Sequence, residues 1–164
     1  MKDGSENAAA TTAGFAIDAG RLEDYLRRVM PGFAGPIRIE KFAGGQSNPT
    51  YRVESPGGRY VLRRKPPGPL LASAHAVDRE FRVQRALGLV PGFPVARMHV
   101  YCDDPQVIGT PFYVMDLGEG RIFWDATLPE VRREERRRYY ESMVTTLAAL
   151  HCVDYVSLGL ADFG

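Results

Sequence analysis

Tyr60-Val61-Leu62-Arg63, an apolar run that ends in a cation, is the segment from which the fold class can be worked out. It follows Ser55-Pro56-Gly57-Gly58, whose proline and glycines strongly favour a turn. Before that turn, residues 37–42 alternate between apolar and polar side chains, and a glycine break separates them from residues 50–54. Residues 37–64 are therefore predicted to form three antiparallel strands.

Helices and two further strands are predicted on either side of this segment. Asp18 can cap a helix that ends before Pro31-Gly32 and whose apolar residues recur at helical spacing, namely Leu22, Tyr25, Leu26 and Val29. The later patterns predict, in order, a helix over residues 74–87, strands over 98–102 and 112–117, a flexible glycine hinge over 118–120 and a long helix over 128–151.

Length and charge are those of an ordinary globular protein. The 164 residues carry 21 basic and 20 acidic side chains, so the net charge of +1 gives no reason to expect nucleic-acid or membrane binding. No apolar run reaches the roughly 18 residues of a membrane span. Cys102 and Cys152 lack a paired spacing and are interpreted as free thiols. The chain is therefore expected to be cytoplasmic, with residues 1–14 as a disordered leader.

The predicted order of elements is that of the small lobe of a protein-kinase-like fold, in which the loop between the first two strands covers phosphates. Here that loop contains Gly44, Gly45, Gln46, Ser47 and Asn48. Small residues let backbone N–H groups approach a triphosphate, and the Ser47 hydroxyl and the Asn48 amide are further donors. The loop matches neither G-x-G-x-x-G nor G-x-x-x-x-G-K-[ST], and a glycine-rich hairpin turn that binds nothing is the alternative.

The third strand ends in a cation, as does the V-A-I-K motif of kinases. Side chains two residues apart share one face of a strand, so Arg63 points the same way as Val61, which could pack on a base. Arginine keeps a phosphate-binding cation at this position and adds a bidentate fork. Arg64 points to the opposite face, and prolines directly follow Lys65. A solvated basic strand end is the alternative.

Glu80 borders the apolar stripe of the helix predicted over residues 74–87. A carboxylate at the edge of a buried stripe needs a cation, and Arg63 on the preceding strand is its natural partner. The pair would correspond to the lysine–glutamate ion pair of kinases. A solvent-exposed glutamate in an arginine-rich helix is the alternative.

The fifth predicted strand is apolar and runs into the glycine hinge. In kinases, backbone groups of the hinge pair with the adenine edge, while an apolar side chain closes the back of the pocket. Met115 is the candidate for that side chain. Any buried strand that ends in glycine has this pattern. It indicates a nucleotide site only because it follows the glycine-rich loop, Arg63 and Glu80 in the sequence.

Five blocks of sequence together resemble the aminoglycoside phosphotransferase-like family, particularly its branch similar to the kinase-like part fused to some acyl-CoA dehydrogenases. The blocks lie within about residues 20–160 and read F-x-G-G-Q-S-N-x-T-Y-R-V, G-R-Y-V-L-R-R-K-P-P-G, D-R-E-F-R-V-Q-R-A-L, P-F-Y-V-M-D-L-x-x-G-R and L-A-A-L-H-x-V-D. The resemblance implies ATP with Mg²⁺, and phosphoryl transfer to a hydroxyl of an aminoglycoside-like or other small molecule.

The same resemblance implies roles for individual residues and a division into lobes. Gly45 to Asn48 would form the phosphate loop, Arg63 would be the phosphate cation with Glu80 as its partner, and the Asp116 C=O and Gly118 N–H would contact adenine. The implied fold is α+β, with a kinase-like N-terminal lobe over residues 15–117 that contains a five-stranded antiparallel sheet and a packed helix. A hinge over 118–125 and the first helix of a C-terminal lobe, within 126–164, would follow.

The catalytic part of the family pattern does not occur in this sequence. No H-x-D-x-x-x-x-N segment is present, and His151 lies on the apolar stripe of the last helix, where a packed or carbonyl-bonded histidine is expected. Asp162-Phe163-Gly164 resembles a metal-binding D-F-G motif, but no catalytic loop precedes it. The metal ligands are therefore expected in a missing lobe, no catalytic residue is assigned, and this chain alone is expected to be inactive.

A non-catalytic interaction module is the main alternative function. Without a second lobe, the apolar face of the last helix would be covered by a second copy of the chain or by another protein. The only feature that would support a nucleic-acid-binding surface is the charged first half of that helix. Glu134 and Arg138 at i, i+4 favour a solvated face there instead.

Overall fold

Five strands form one antiparallel sheet in this computed structural model, which describes residues 16–42, 48–69 and 75–163. The strands are β1 (Arg38–Lys41), β2 (Thr50–Ser55), β3 (Gly58–Arg64), β4 (Met98–Cys102) and β5 (Phe112–Asp116). Their order across the sheet is β1-β2-β3-β5-β4. The predicted α+β class and five-stranded antiparallel sheet are confirmed, and the predicted leader, residues 1–14, lies outside the described residues.

Helix α1 (Ala19–Val29) covers one face of the sheet and forms the main core with it. The Asp18 side chain caps the helix by accepting a hydrogen bond from the Arg21 N–H at 3.0 Å. Leu22 and Leu26, one turn apart, are fully buried. They pack in a cluster with apolar side chains of the sheet that include Tyr51, Val53, Leu62, Phe112 and Val114.

Helix α2 (Val77–Leu87) packs on the opposite face of the sheet, against β4 and β5. The centre of the Phe81 ring lies 5.8 Å from that of Tyr101 and 6.1 Å from that of Tyr113, and the rings are tilted relative to one another. The helix begins three residues later than the predicted residue 74, because His75 has a φ of 60° and Ala76 is the non-helical cap. Successive residues of β3 therefore face α1 and α2 in alternation.

Two connections differ from the predicted ones. The loop 103–111 contains a one-turn helix, α3 (Pro105–Ile108), which Asp104 caps and Gly109 ends with a φ of 85°. Helix α4 (Arg133–His151) begins five residues after the predicted residue 128. Leu128 has a φ of 53° and precedes a proline, which disfavours helical backbone, so Leu128 is buried as part of a turn instead.

The apolar stripe of α4 faces outward in this chain. Met143, Val144 and Leu147 are at least half exposed, and α4 has no buried residue. His151 is also exposed and makes no hydrogen bond to a carbonyl within the described part of the chain, so the prediction of a packed or carbonyl-bonded His151 is wrong. No helix in the described ranges has the length and apolar character needed to cross a membrane.

Candidate functional site

The α2 face of β3 and β5 carries four of the side chains on which the candidate site depends. Val61 lies opposite Met115 in the antiparallel register, and Arg63 lies opposite Tyr113. Directly opposed residues share a face, so these four side chains form two adjacent rows. Val61 and Tyr113 are buried, whereas Met115 and Arg63 are partly exposed. The predicted shared face of Val61 and Arg63 is confirmed.

Arg63 and Glu80 form the predicted ion pair. Arg63 Nε lies 2.9 Å from Glu80 Oε2, and Arg63 Nη2 donates to Oε1 at 3.4 Å. About a third of each side chain is exposed. The Nε atom is buried, yet within the described residues its N–H is not aligned with an acceptor. Because a guanidinium carries several N–H donors, Arg63 can hold Glu80 and still donate to an anion on its exposed side.

The Glu80 carboxylate is also held by two neutral donors. Asn48 Nδ2 donates to Oε1 at 2.9 Å, and the Tyr113 hydroxyl donates to Oε2 at 3.0 Å. Gln84, one turn after Glu80, donates to the same tyrosine oxygen at 3.3 Å. A carboxylate with donors on both oxygens is strongly restricted in orientation. Glu80 is thus fixed from the loop side by Asn48 and from the sheet by Arg63 and Tyr113.

The sequence patterns did not reveal the part that Asn48 plays in this network. Its side chain is 5% exposed, and besides donating to Glu80 it accepts at Oδ1 from His75 Nδ1 at 2.9 Å. The predicted donation from the Asn48 amide to a phosphate competes with these two bonds. His75, Gln84 and Tyr113 were also missed; only Gln84 carried a signal, as a polar residue on the inward stripe of α2.

Burial is the main cause that raises the pKa of Tyr113 to about 12, and the nearby Glu80 carboxylate adds to it. The hydrogen bond from Gln84 acts in the opposite direction. The phenol therefore keeps its proton at neutral pH and can only act as a donor toward Glu80. This donor helps to fix the orientation of the Glu80 carboxylate beside Arg63.

The strand β5 ends at Asp116, two residues before the exposed Gly118 of the predicted hinge. The Asp116 side chain points to the α1 face of the sheet, and His99 Nε2 lies 2.6 Å from Asp116 Oδ1 there. The backbone N–H of Asp116 donates to Arg97 O at 2.9 Å. Gly118 is exposed, and in the described ranges its N–H makes no backbone hydrogen bond.

The remaining predicted phosphate-loop residues, Gly44, Gly45, Gln46 and Ser47, lie outside the described residues. The two ends of their loop are joined by a bond from the Phe42 N–H to Thr50 O at 3.0 Å. Arg64 is buried on the α1 face, where its Nε donates to Thr110 Oγ1 at 2.9 Å. Arg64 thus points away from the site, as predicted for the residue next to Arg63 in a strand.

A metal site does not fit the part of the chain that the structure describes. No three His, Cys, Asp or Glu side chains there are grouped so that they could hold a metal ion. The carboxylate of Asp162, in the segment that resembles D-F-G, is engaged by Arg82 on α2. Ligands for Mg²⁺ would have to come from elsewhere.

Comparison with known proteins places this geometry in a family. Residues 38–164 match the model of the phosphotransferase enzyme family. A protein from Ralstonia eutropha that is assigned as an aminoglycoside phosphotransferase superposes on 91% of this chain with a TM-score of 0.78 and 42% sequence identity; the match covers 42% of that protein. The fold is accordingly kinase-like.

Two curated relatives are similar over nearly the whole chain. Acyl-CoA dehydrogenase family member 11 from Gallus gallus is 52% identical over 90% of this chain, and its human counterpart is 42% identical over 98%. The matches cover only 19% and 21% of those proteins, so the chain spans about a fifth of their length. The family match, the similarity to the solved structure and the Arg63–Glu80 geometry agree, and the chain belongs to the phosphotransferase enzyme family.

Proposed function

We propose that this chain is the ATP-binding lobe of a small-molecule phosphotransferase, which transfers the γ-phosphoryl group of ATP to a hydroxyl of an aminoglycoside-like or other small acceptor. The observation that carries the proposal is the Arg63–Glu80 ion pair beside the apolar row of Val61 and Met115. A phosphate-binding cation next to a base-sized apolar surface and a free hinge N–H is the arrangement that an adenine nucleotide needs.

Each described group then has a defined task in binding ATP as a substrate. The base packs against the row formed by the Val61 and Met115 side chains and accepts a hydrogen bond from the Gly118 N–H. The Arg63 guanidinium donates to phosphate oxygens, while Glu80 holds its plane in place. Arginine differs from lysine here because its planar fork must be oriented to make two parallel bonds to phosphate.

The transfer step needs groups beyond those described. The bond between the γ-phosphorus and the bridging oxygen of ADP breaks, a bond from the acceptor oxygen to phosphorus forms, and the hydroxyl proton passes to a base. The sequence has no H-x-D-x-x-x-x-N segment that could supply this base. Mg²⁺ would neutralise phosphate charge when bound, through ligands outside the described residues. We therefore propose that this chain binds ATP without transferring its phosphoryl group.

Calorimetry with Mg-ATP tests this proposal. The wild-type chain is expected to bind, and Arg63→Ala to bind about 10- to 100-fold more weakly, since a hydrogen bond from a charged group contributes roughly 1.5–3 kcal/mol. Arg38→Ala removes an exposed arginine from β1 and is the matched control, with unchanged affinity. Equal affinities of wild type and Arg63→Ala would exclude Arg63 from the site, and absence of binding by the wild-type chain would contradict the proposal.

A dimeric, non-catalytic module is the second candidate, because the apolar residues Met143, Val144 and Leu147 of α4 are exposed. In that case a second copy of the chain would cover α4. This candidate predicts a dimer mass in solution together with no heat on addition of Mg-ATP. A monomer that binds Mg-ATP would exclude it.

A further inference from the structure

A short segment after α4, residues 159–163, is docked on the outer side of α2. The Asp162 carboxylate accepts two hydrogen bonds from Arg82, one from Nη1 at 3.0 Å and one from Nη2. Arg82 Nη2 also donates to the Gly159 carbonyl at 2.5 Å. Leu160 in the middle of the segment is 7% exposed. The segment is therefore fixed by both a side-chain fork and a buried apolar residue.

A second arginine of α2 binds the end of the same segment. Arg79 Nη2 donates to the Phe163 carbonyl at 3.3 Å, and its guanidinium carbon lies 4.6 Å from the centre of the Phe163 ring. Such cation–π contacts add attraction beyond a single hydrogen bond. Arg79 and Arg82 lie one turn apart, so the segment contacts a continuous strip of the helix.

The strip lies at the level of Glu80, on the other side of α2. The helix buries Val77 at its start and Ala86 and Leu87 at its end, whereas residues 78–85 include no fully buried side chain. The turn that carries Glu80 is thus held to the sheet mainly by polar contacts and the partly buried Phe81. From the opposite side, it is held by the segment 159–163.

We infer that the segment 159–163 positions α2, so that Glu80 stays aligned with Arg63, and that Arg82 and Asp162 are positioning residues for the phosphate-binding cation. Exposed ion pairs are individually weak, but here the fork, two carbonyl acceptors and a ring contact restrain the same helical turn. The segment follows the hinge and α4 in sequence, so the contact couples α2 to the chain beyond the hinge. The expected change in ATP affinity rests on the proposed function, whereas the effect of the segment on the position of α2 does not.

Charge reversal separates positioning from general stability. The variants are Arg82→Asp, Asp162→Arg and the double variant that restores the pair with opposite polarity. Arg137→Glu, which breaks an exposed ion pair with Glu141 on α4, is the matched control. Hydrogen exchange of the amides of residues 77–87 is measured without ligand, and the affinities for Mg-ATP and adenosine are measured by calorimetry.

Each single variant is expected to speed exchange in α2 and to weaken Mg-ATP binding about fivefold, the upper range for an exposed pair, while adenosine binding is unchanged. The double variant should recover most of both losses, and Arg137→Glu should match the wild type. Wild-type exchange and ATP affinity in the single variants would overturn the inference. So would equal losses for ATP and adenosine that the double variant fails to recover.

If the wild-type chain binds no ATP, the proposed function fails, and the exchange rates of α2 alone decide the inference. Faster exchange in both single variants, restored in the double variant, supports it. Unchanged exchange overturns it.

Discussion

Glu80 is the point at which three parts of the molecule meet. Its carboxylate accepts from Asn48 beside the phosphate loop, lies against Arg63 on β3 and accepts from Tyr113 on β5. One charged side chain thus fixes the orientation of a guanidinium that is one-third exposed. The cation of the candidate site, the Arg63 guanidinium, is therefore held in place by Glu80 and is not free to rotate.

Substitutions of Asn48 test how far Glu80 depends on its neutral donor. Asn48→Ala removes a buried partner of Glu80 and should lower the free energy of unfolding by about 1–3 kcal/mol. Asn48→Asp keeps the shape but brings a second carboxylate next to Glu80, so it should be the less stable of the two at pH 7. Urea unfolding measures both.

Asn48→Ala is the control for this comparison, because it removes the same donor to Glu80 without adding a charge. An Asn48→Asp chain as stable as the wild type at pH 7 would show that the Asn48–Glu80 contact is not maintained in solution.

The protonation of Tyr113 gives a prediction for alkaline pH. The pKa of this tyrosine is raised to about 12 from the ordinary 10.0, so the folded chain keeps a proton that the unfolded chain loses. The resulting stability is complete below pH 10 and is lost as the pH rises to about 12. Between these limits the free energy of unfolding of Tyr113→Phe should fall less steeply than that of the wild type.

Denaturation at several pH values between 9 and 12 checks this expectation, with Tyr155→Phe as the control because Tyr155 is 59% exposed. Parallel curves for the wild type and Tyr113→Phe would mean that burial does not raise the pKa of Tyr113 in the folded chain.

At the scale of elements, α1 and α2 have different energetic roles. Helix α1 buries Leu22 and Leu26 completely, whereas α2 is held partly by polar contacts. Leu26→Ala should therefore destabilise the fold by about 2–5 kcal/mol, the usual cost of a cavity in a core. Val29→Ala, at a position 40% exposed in the same helix, should cost less than about 1 kcal/mol.

Thermal or urea unfolding measures both variants of α1. Equal losses for Leu26→Ala and Val29→Ala would contradict the assignment of α1 as the element that closes the core.

Local patterns predicted most elements because they depend on nearby residues. The alternation of side chains in β3 places Arg63 and Val61 on one face of the strand, and the apolar stripe of α2 has Glu80 at its edge. These two patterns together predicted the ion pair of Arg63 with Glu80. The bond that Asn48 donates to Glu80 and the one that it accepts from His75 could not be predicted, since they depend on how residues distant in sequence meet in three dimensions. The start of α4 differs from the predicted residue 128 because Leu128 precedes a proline, which disfavours helical backbone at that position.

At the scale of the whole molecule, the sheet separates two functions. Its α1 face holds the core, and its α2 face carries Val61, Arg63 and Met115 for the proposed nucleotide. The hinge and α4 then lead to the segment 159–163, which returns to α2. Within the described residues, the sheet and α2 are therefore connected to the chain after Gly118 by the backbone and by the contacts of Arg79 and Arg82 with residues 159–163.

If ATP binds on the α2 face of the sheet, as we propose, NMR of the methyl-labelled chain during titration with Mg-ATP will report it. The methyl signals of Val61 and Met115 and the amide signal of Gly118 are expected to shift together, while those of Val53 and Leu62 in the α1 core stay in place. No shift at Val61 and Met115, or shifts confined to Val53 and Leu62, would contradict the claim.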